Sequence, residues 1–215
     1  VPTSGVISFS NFYGASAGIT LTYSANATNV NLLTDAVAAG FNATAGGTLF
    51  VVINSGITLA GSGTHAITSG VFPANSLVTI TNNGTVSGFT GASGSGGNQG
   101  SGGGDAFYAN FTTSGSTWSI VNNGTWGGGG GGGGSGASRS TNYVDKSGSS
   151  CAAPVYIGSA GEAGGLGAAG ATGSNGSGSQ FCQNYAAAAG GAAGYAVRKN
   201  SRTISTTGTF LGTVG

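Results

Sequence analysis

A chain of 215 residues with 47 glycines, 4% charged residues and a net charge of +1 is not an ordinary globular domain, since average domains carry about 7% glycine and about 25% charge. Its five Lys and Arg cannot make the basic patch that nucleic-acid binding needs. No apolar run approaches the roughly 18–20 residues that cross a bilayer, so neither nucleic acid nor membrane insertion is expected. Disorder is disfavoured as well, because it pairs low hydrophobicity with high net charge, and 38% of this chain is hydrophobic. The start at Val1 leads to the expectation of a processed chain or a piece of a longer one.

In chain order, alternating apolar and polar residues predict β structure over 5–12, 18–25, 47–59 and 76–86, with one short helix over 31–39. A second pattern recurs as "VVINSGITLAG" (51–61), "TITNNGTVSG" (79–88), "SIVNNGTWGG" (119–128) and "TISTTGTFLG" (203–212). Asn-Gly between β-forming residues suits a hairpin turn, and the same chemistry suits the repeated corner of a β-solenoid. Both readings stay open. The expectation is a mainly β chain: a β-rich base over 1–87, then a glycine-rich part over 88–215 that closes with the β unit 203–212.

Glycine recurs at every third place from 158 to 176, and at 88, 91, 94, 97, 100 and 103; residues 124–136 permit the same register. Collagen requires proline in the other places, and the chain has only three prolines. The alternative is a bundle of polyglycine II helices, extended and left-handed, with three residues per turn. Such a helix has no internal hydrogen bonds, so its backbone groups must bond to neighbouring helices. Glycine on the facing row lets the neighbours come close enough. At a rise of about 3.1 Å per residue, the run 158–176 would extend on the order of 60 Å.

Enzyme chemistry finds no support. His65 is the one histidine, and it sits in a turn-like setting; the carboxylates Asp35, Asp105, Asp145 and Glu162 show no paired spacing. No phosphate loop or metal-ligand cluster occurs, and no catalytic residue, cofactor or metal is expected. What remains is recognition. Residues 137–157 hold Arg139, Asn142, Tyr143, Asp145, Lys146 and Tyr156. Residues 180–185 hold Gln180, Phe181, Gln183, Asn184 and Tyr185. Aromatic, Arg and amide side chains on rigid supports make binding anchors. Phe107, Tyr108, Phe111 and Trp118 suit either recognition or the covering of bundle ends. Cys151 and Cys182 bracket the long triplet run. They form one disulfide or stay two thiols; a bond would contribute about 3–4 kcal/mol by closing the loop.

The segments "VPTSGVISFSNFYGAS" (1–16), "VTITNNGTVSG" (78–88), the oligoglycine after "IVNNGTW", and "GGAAGYAVRKNSRTISTTGTFLGTVG" (190–215) resemble tail and fibre proteins of tailed bacteriophages. The likeness is to the glycine-rich receptor-binding tips of tail fibres and central tail-tip proteins. The resemblance implies an adhesin on the virion that binds an outer-membrane protein or surface glycan of the bacterial host. It makes the glycines 88–103, 124–136 and 158–176 a scaffold, and residues 137–157 and 177–185 tip loops. It also implies attachment to the rest of the fibre, as a trimer or as one chain folding into its own bundle. Cys151 and Cys182 depart from the family pattern. A structural filament without a receptor is the alternative that the composition allows.

Overall fold

The computed structural model describes residues 18–95, 98–110, 115–135, 161–173 and 188–215. The chain is mainly β with little helix. Its strands are β1 (Ile19–Tyr23), β2 (Ala27–Thr28), β3 (Val30–Asn31), β4 (Gly47–Ile53), β5 (Thr58–Ala60), β6 (Ile67–Thr68) and β7 (Ser76–Asn82). They continue with β8 (Thr85–Ser87), β9 (Phe107–Tyr108), β10 (Thr117–Asn122), β11 (Thr125–Gly127), β12 (Val197–Arg198) and β13 (Ile204–Gly208). The short helix α1 is Leu32–Ala38, within the stretch predicted for it; the Asn31 side chain caps it by accepting from the Thr34 N–H at 3.2 Å. Residues 5–12 lie outside the described residues.

Three sheets run in the orders β1-β4-β7-β10-β13, β11-β8-β5-β2 and β12-β9-β6-β3. Every ladder is parallel. Successive strands therefore wind around three sides, and each coil stacks on the last. This is a solenoid, which decides between the two readings of the Asn-Gly repeats: 79–88 and 119–128 stack as the same part of two coils, with Thr79 opposite Ser119 and Asn82 opposite Asn122. The hairpin reading fails for a physical reason. Neither Asn83 nor Gly84 has the positive φ that a two-residue hairpin turn uses. Glycine is needed at 84 because a Cβ would meet the carbonyl oxygens of Ile57 and Asn54 on the coil below.

Side-chain alternation fills the interior. Leu49, Val78, Trp118 and Ile204 form one inward row, and Val51, Ile80 and Ile120 another. Trp118 packs edge-on to Phe72 with centroids 5.1 Å apart and lies 5.9 Å from Phe107. Phe107 and Trp118 are thus core residues, not recognition anchors; Phe111 lies outside the described residues. The third inward row ends in asparagine: Asn82 and Asn122 are buried and bonded to each other.

The turn from the second side to the third grows from coil to coil. It is residue 29 in the first coil, residues 61–66 in the second, 88–106 in the third and 128–196 in the fourth. The last two excursions hold all the glycine runs. Their described parts lie beside one another and bond through the backbone with a period of three. The segment 128–135 is at the centre. The carbonyls of Gly127, Gly130 and Gly133 accept from Gly88, Gly91 and Gly94. Those of Gly128, Gly131 and Gly134 accept from Gly167, Gly164 and Gly161, and those of Gly129, Gly132 and Ser135 from Gly194, Gly191 and Ala188. Nine consecutive carbonyls serve three neighbours in rotation, while Gly129, Gly132 and Ser135 donate to Gly104, Ser101 and Asn98 of a fourth.

The triplet run beginning at 158 is not one 60 Å rod. Within its described part the chain folds back at 165–168, where Ala168 N–H donates to the Gly165 carbonyl, and Ala171 N–H then returns to Glu162. The glycine register persists through the bend because both arms need a bare row: Gly161 and Gly164 face the arm 168–173, and Gly170 faces Gly132.

Candidate functional site

Each glycine segment has one end at the solenoid and one end away from it. The far ends are Ser95, Asn98, Ser135, Gly161, Gly173 and Ala188, and hydrogen bonds hold them together. Asn98 N–H donates to Ser95 at 3.1 Å, Ser135 to Asn98 at 3.2 Å, Ala188 to Ser135 at 3.1 Å and Gly173 to Ala188 at 3.2 Å. Gly161 donates to Gly134 at 2.9 Å. The chain leaves the described structure at Ser135 and Gly173 and re-enters at Gly161 and Ala188, all at this one end.

All the residues expected to recognise a receptor fall in the two intervening spans. Arg139, Asn142, Tyr143, Asp145, Lys146 and Tyr156 lie in 136–160, and Gln180, Phe181, Gln183, Asn184 and Tyr185 in 174–187, outside the described residues. So do Cys151 and Cys182, one in each span. The fold therefore brings together the four chain positions that flank these spans. Ser135, which begins the longer span, is buried, and its Oγ has no hydrogen-bond partner among the described residues.

A polar cluster that residue types alone did not reveal sits at the opposite end, where the glycine segments return to the coil. Asp105 is buried and follows Gly104 directly. Its Oδ1 accepts from the Tyr195 N–H at 2.8 Å and from Arg198 Nη2 at 3.0 Å, and its Oδ2 accepts from Arg198 Nε at 2.6 Å. His65, expected on a turn, stacks on Tyr108 with centroids 4.3 Å apart; its Nδ1 lies 3.2 Å from Asp105 Oδ2 without hydrogen-bond alignment. Arg198 also covers the Tyr195 ring at 4.3 Å. The hydrogen bonds that Arg198 donates to Asp105 raise its pKa further. Burial lowers that of His65, and the Arg198 charge acts the same way, against the opposing pull of Asp105. Among the described residues no group of His, Cys, Asp and Glu is placed to hold a metal ion.

The His65 shift has a sign that can be checked. A histidine held below its ordinary pKa of about 6.5 stabilises the fold as neutral imidazole, and that contribution is lost as pH falls through the ordinary range. The wild type is therefore expected to lose more in Tm than His65→Gln between pH 7.5 and 5. Equal losses in the two proteins would remove this role.

Comparisons with known proteins agree with this architecture. No curated protein matches the chain. Among solved structures it is similar to the gp37-gp38 adhesin tip complex of the bacteriophage S16 long tail fiber, with a TM-score of 0.59 and 21% identity, over 98% of this chain and 87% of that one. At that identity the likeness is one of fold. The family model described as the phage tail fibre adhesin Gp38 matches residues 18–215. Because that match runs from the residue before β1 to the last residue, the chain belongs to the Gp38 family of phage tail fibre adhesins, proteins on the outside of the virion.

Proposed function

We propose that this adhesin binds a receptor on the bacterial surface, an outer-membrane protein or a surface glycan, through residues 137–157 and 177–185. The observation that carries this reading is the convergence of Ser135, Gly161, Gly173 and Ala188 at one end of the glycine segments. Two long spans that together hold three Tyr, one Arg and several amides start and finish there, and a rigid support reduces the ordering cost of binding through them. Arg139, Asn142, Tyr143, Asp145, Lys146 and Tyr156 are the contacts we assign to the first span. Gln180, Phe181, Gln183, Asn184 and Tyr185 are those of the second. We take the glycine segments to be polyglycine II helices, as the threefold rotation of hydrogen-bond partners supports. A bond between Cys151 and Cys182 would tie the two spans together.

In this reading residues 1–87 begin an attachment base, and residues 88–215 carry the rods, the recognition spans and the closing β unit 203–212. The base joins the rest of the fibre, as the description of the similar solved structure as a gp37-gp38 complex suggests. Segments of a single chain surround the central rod, which favours a bundle that needs no second copy. No chemical transformation is assigned to the protein.

The test replaces residues 137–157 with a Gly-Ser span of equal length and measures adsorption of phage carrying the variant. Loss of the anchors is expected to lower adsorption by at least about 100-fold, since a few aromatic and Arg anchors dominate such contacts, with the Tm almost unchanged. Wild-type adsorption would overturn the assignment.

A further inference from the structure

We propose that Asp105 is the positioning residue that fixes the glycine segments on the solenoid, with His65 and Arg198 as its partners on the coils below and above. The inference rests on the receptor-binding reading only for its consequence, because a tip held at a fixed angle is what that function requires.

His65, Asp105 and Tyr195 occupy one column, and Arg198 follows Tyr195 by three residues, in register with Tyr108. Ile67, Phe107 and Val197 are register partners in the third sheet, so His65, Asp105 and Tyr195 lie level with one another, two residues earlier on successive coils. The backbone ladder runs through the same level: Ala66 N–H donates to the Asp105 carbonyl and Ala106 N–H to the Tyr195 carbonyl. Each of the upper two residues follows the last glycine of a returning segment, Gly104 and Gly194. Gly104 and Gly194 are themselves in contact, since a Cβ on Gly194 would meet the Gly104 carbonyl.

Between rods most bonds are backbone to backbone and read the same after a shift of one triplet; the side-chain bonds, Ser101 Oγ with Ala92 and Gln99 Nε2 with the Gly190 carbonyl, are exposed and do not touch the central segment 128–135. A buried side chain where rod becomes coil can set the position of the segments relative to the solenoid. Asp105 is such a side chain. Its carboxylate holds the backbone of Tyr195 and clamps Arg198 with two parallel bonds, a directional contact that lysine cannot reproduce. The charged and titratable groups around it are His65, Arg198, Tyr108 and Tyr195. Asp105 is almost fully buried while the Arg198 side chain is 39% exposed. The pair is thus anchored on the acid, and removing the acid leaves the Arg free to turn to water.

The experiment is amide hydrogen exchange by mass spectrometry on the full chain. Asp105→Asn is expected to speed exchange in 88–104, 128–135 and 188–194 by at least about tenfold and to leave 47–53 and 76–82 unchanged, which separates local opening from global unfolding. Arg198→Lys is expected to fall between the wild type and Arg198→Gln. An equal change in rods and coil, or no change in either, overturns the proposal. If Asp105→Asn does not fold, the same split in Arg198→Gln decides it, because that residue lies at the surface. The exchange split does not depend on any receptor, so a failed span replacement and a failed clamp give separate results.

Discussion

Gly132→Ala is expected to abolish soluble folded protein, while Gly165→Ala leaves it intact. A Cβ at 132 would sit 1.9 Å from the Ala92 carbonyl oxygen and 2.3 Å from its carbon. Both are backbone atoms of a neighbouring segment, so no side-chain rotation relieves the clash. The segment cannot move aside either, because Gly132 also bonds to Ser101 and Gly191. Separating the rods to admit one methyl breaks several of these bonds at once, and the cost is expected to exceed about 4–5 kcal/mol, the range reserved for exceptional substitutions. A Cβ at 165 meets nothing within 4 Å, and the residue has no positive φ. There the change restricts the unfolded chain and is neutral or stabilising by up to about 1 kcal/mol. Thermal melts and soluble yields of the two variants read the difference. Equal stability of Gly132→Ala and wild type would mean that residues 128–135 are not surrounded.

Asn82→Asp is expected to be the most damaging one-atom change in the solenoid. Asn82 Nδ2 donates to Asn122 Oδ1 at 2.8 Å and to the Thr125 carbonyl at 3.0 Å, and its Oδ1 accepts from the Gly84 N–H at 3.0 Å. Asn122 Nδ2 in turn donates to the Thr209 carbonyl on the last coil. The side chains form a ladder along the axis, and all the donors point one way. An aspartate places an acceptor against two acceptors in a site with no exposure, so the coil must bury an unpaired charge or a misplaced proton. The expected loss is about 3–5 kcal/mol, against about 1–3 for Asn82→Ala, which leaves its partners unsatisfied without adding a charge. Urea titrations of both variants check the order. A more stable aspartate variant would refute the donor assignment.

Much of this was legible in the residues, and the exceptions are instructive. Glycine at every third place marked segments with a neighbour on one bare face, as at Gly161, Gly164 and Gly170. The run 124–136 showed no period, and the packing explains it. Gly128, Gly131 and Gly134 face one segment, Gly129 and Gly132 a second, and Gly130 and Gly133 a third. A rod enclosed on all sides needs glycine everywhere, which erases the very signal that identifies its neighbours. The bend at 165–168 was hidden for the opposite reason: both arms share one register, so nothing interrupts the pattern.

Asn82 stands directly before the Asn-Gly pair that suits a turn. The clue to its burial was the alternation Val78, Ile80, Asn82, which points the asparagine inward. The Asp105 cluster was unreadable because its members are 40 and 93 residues apart in the chain. Only the coil register makes them neighbours.

Triplet-periodic backbone bonding also dictates how such a molecule can change its reach. Two antiparallel arms keep every amide partnered only if each gains or loses whole triplets, and the central rod must follow suit. Length is therefore quantised in whole triplets, and every step demands matched edits in several places along the sequence. Short of that, variation is free only where the arms turn over.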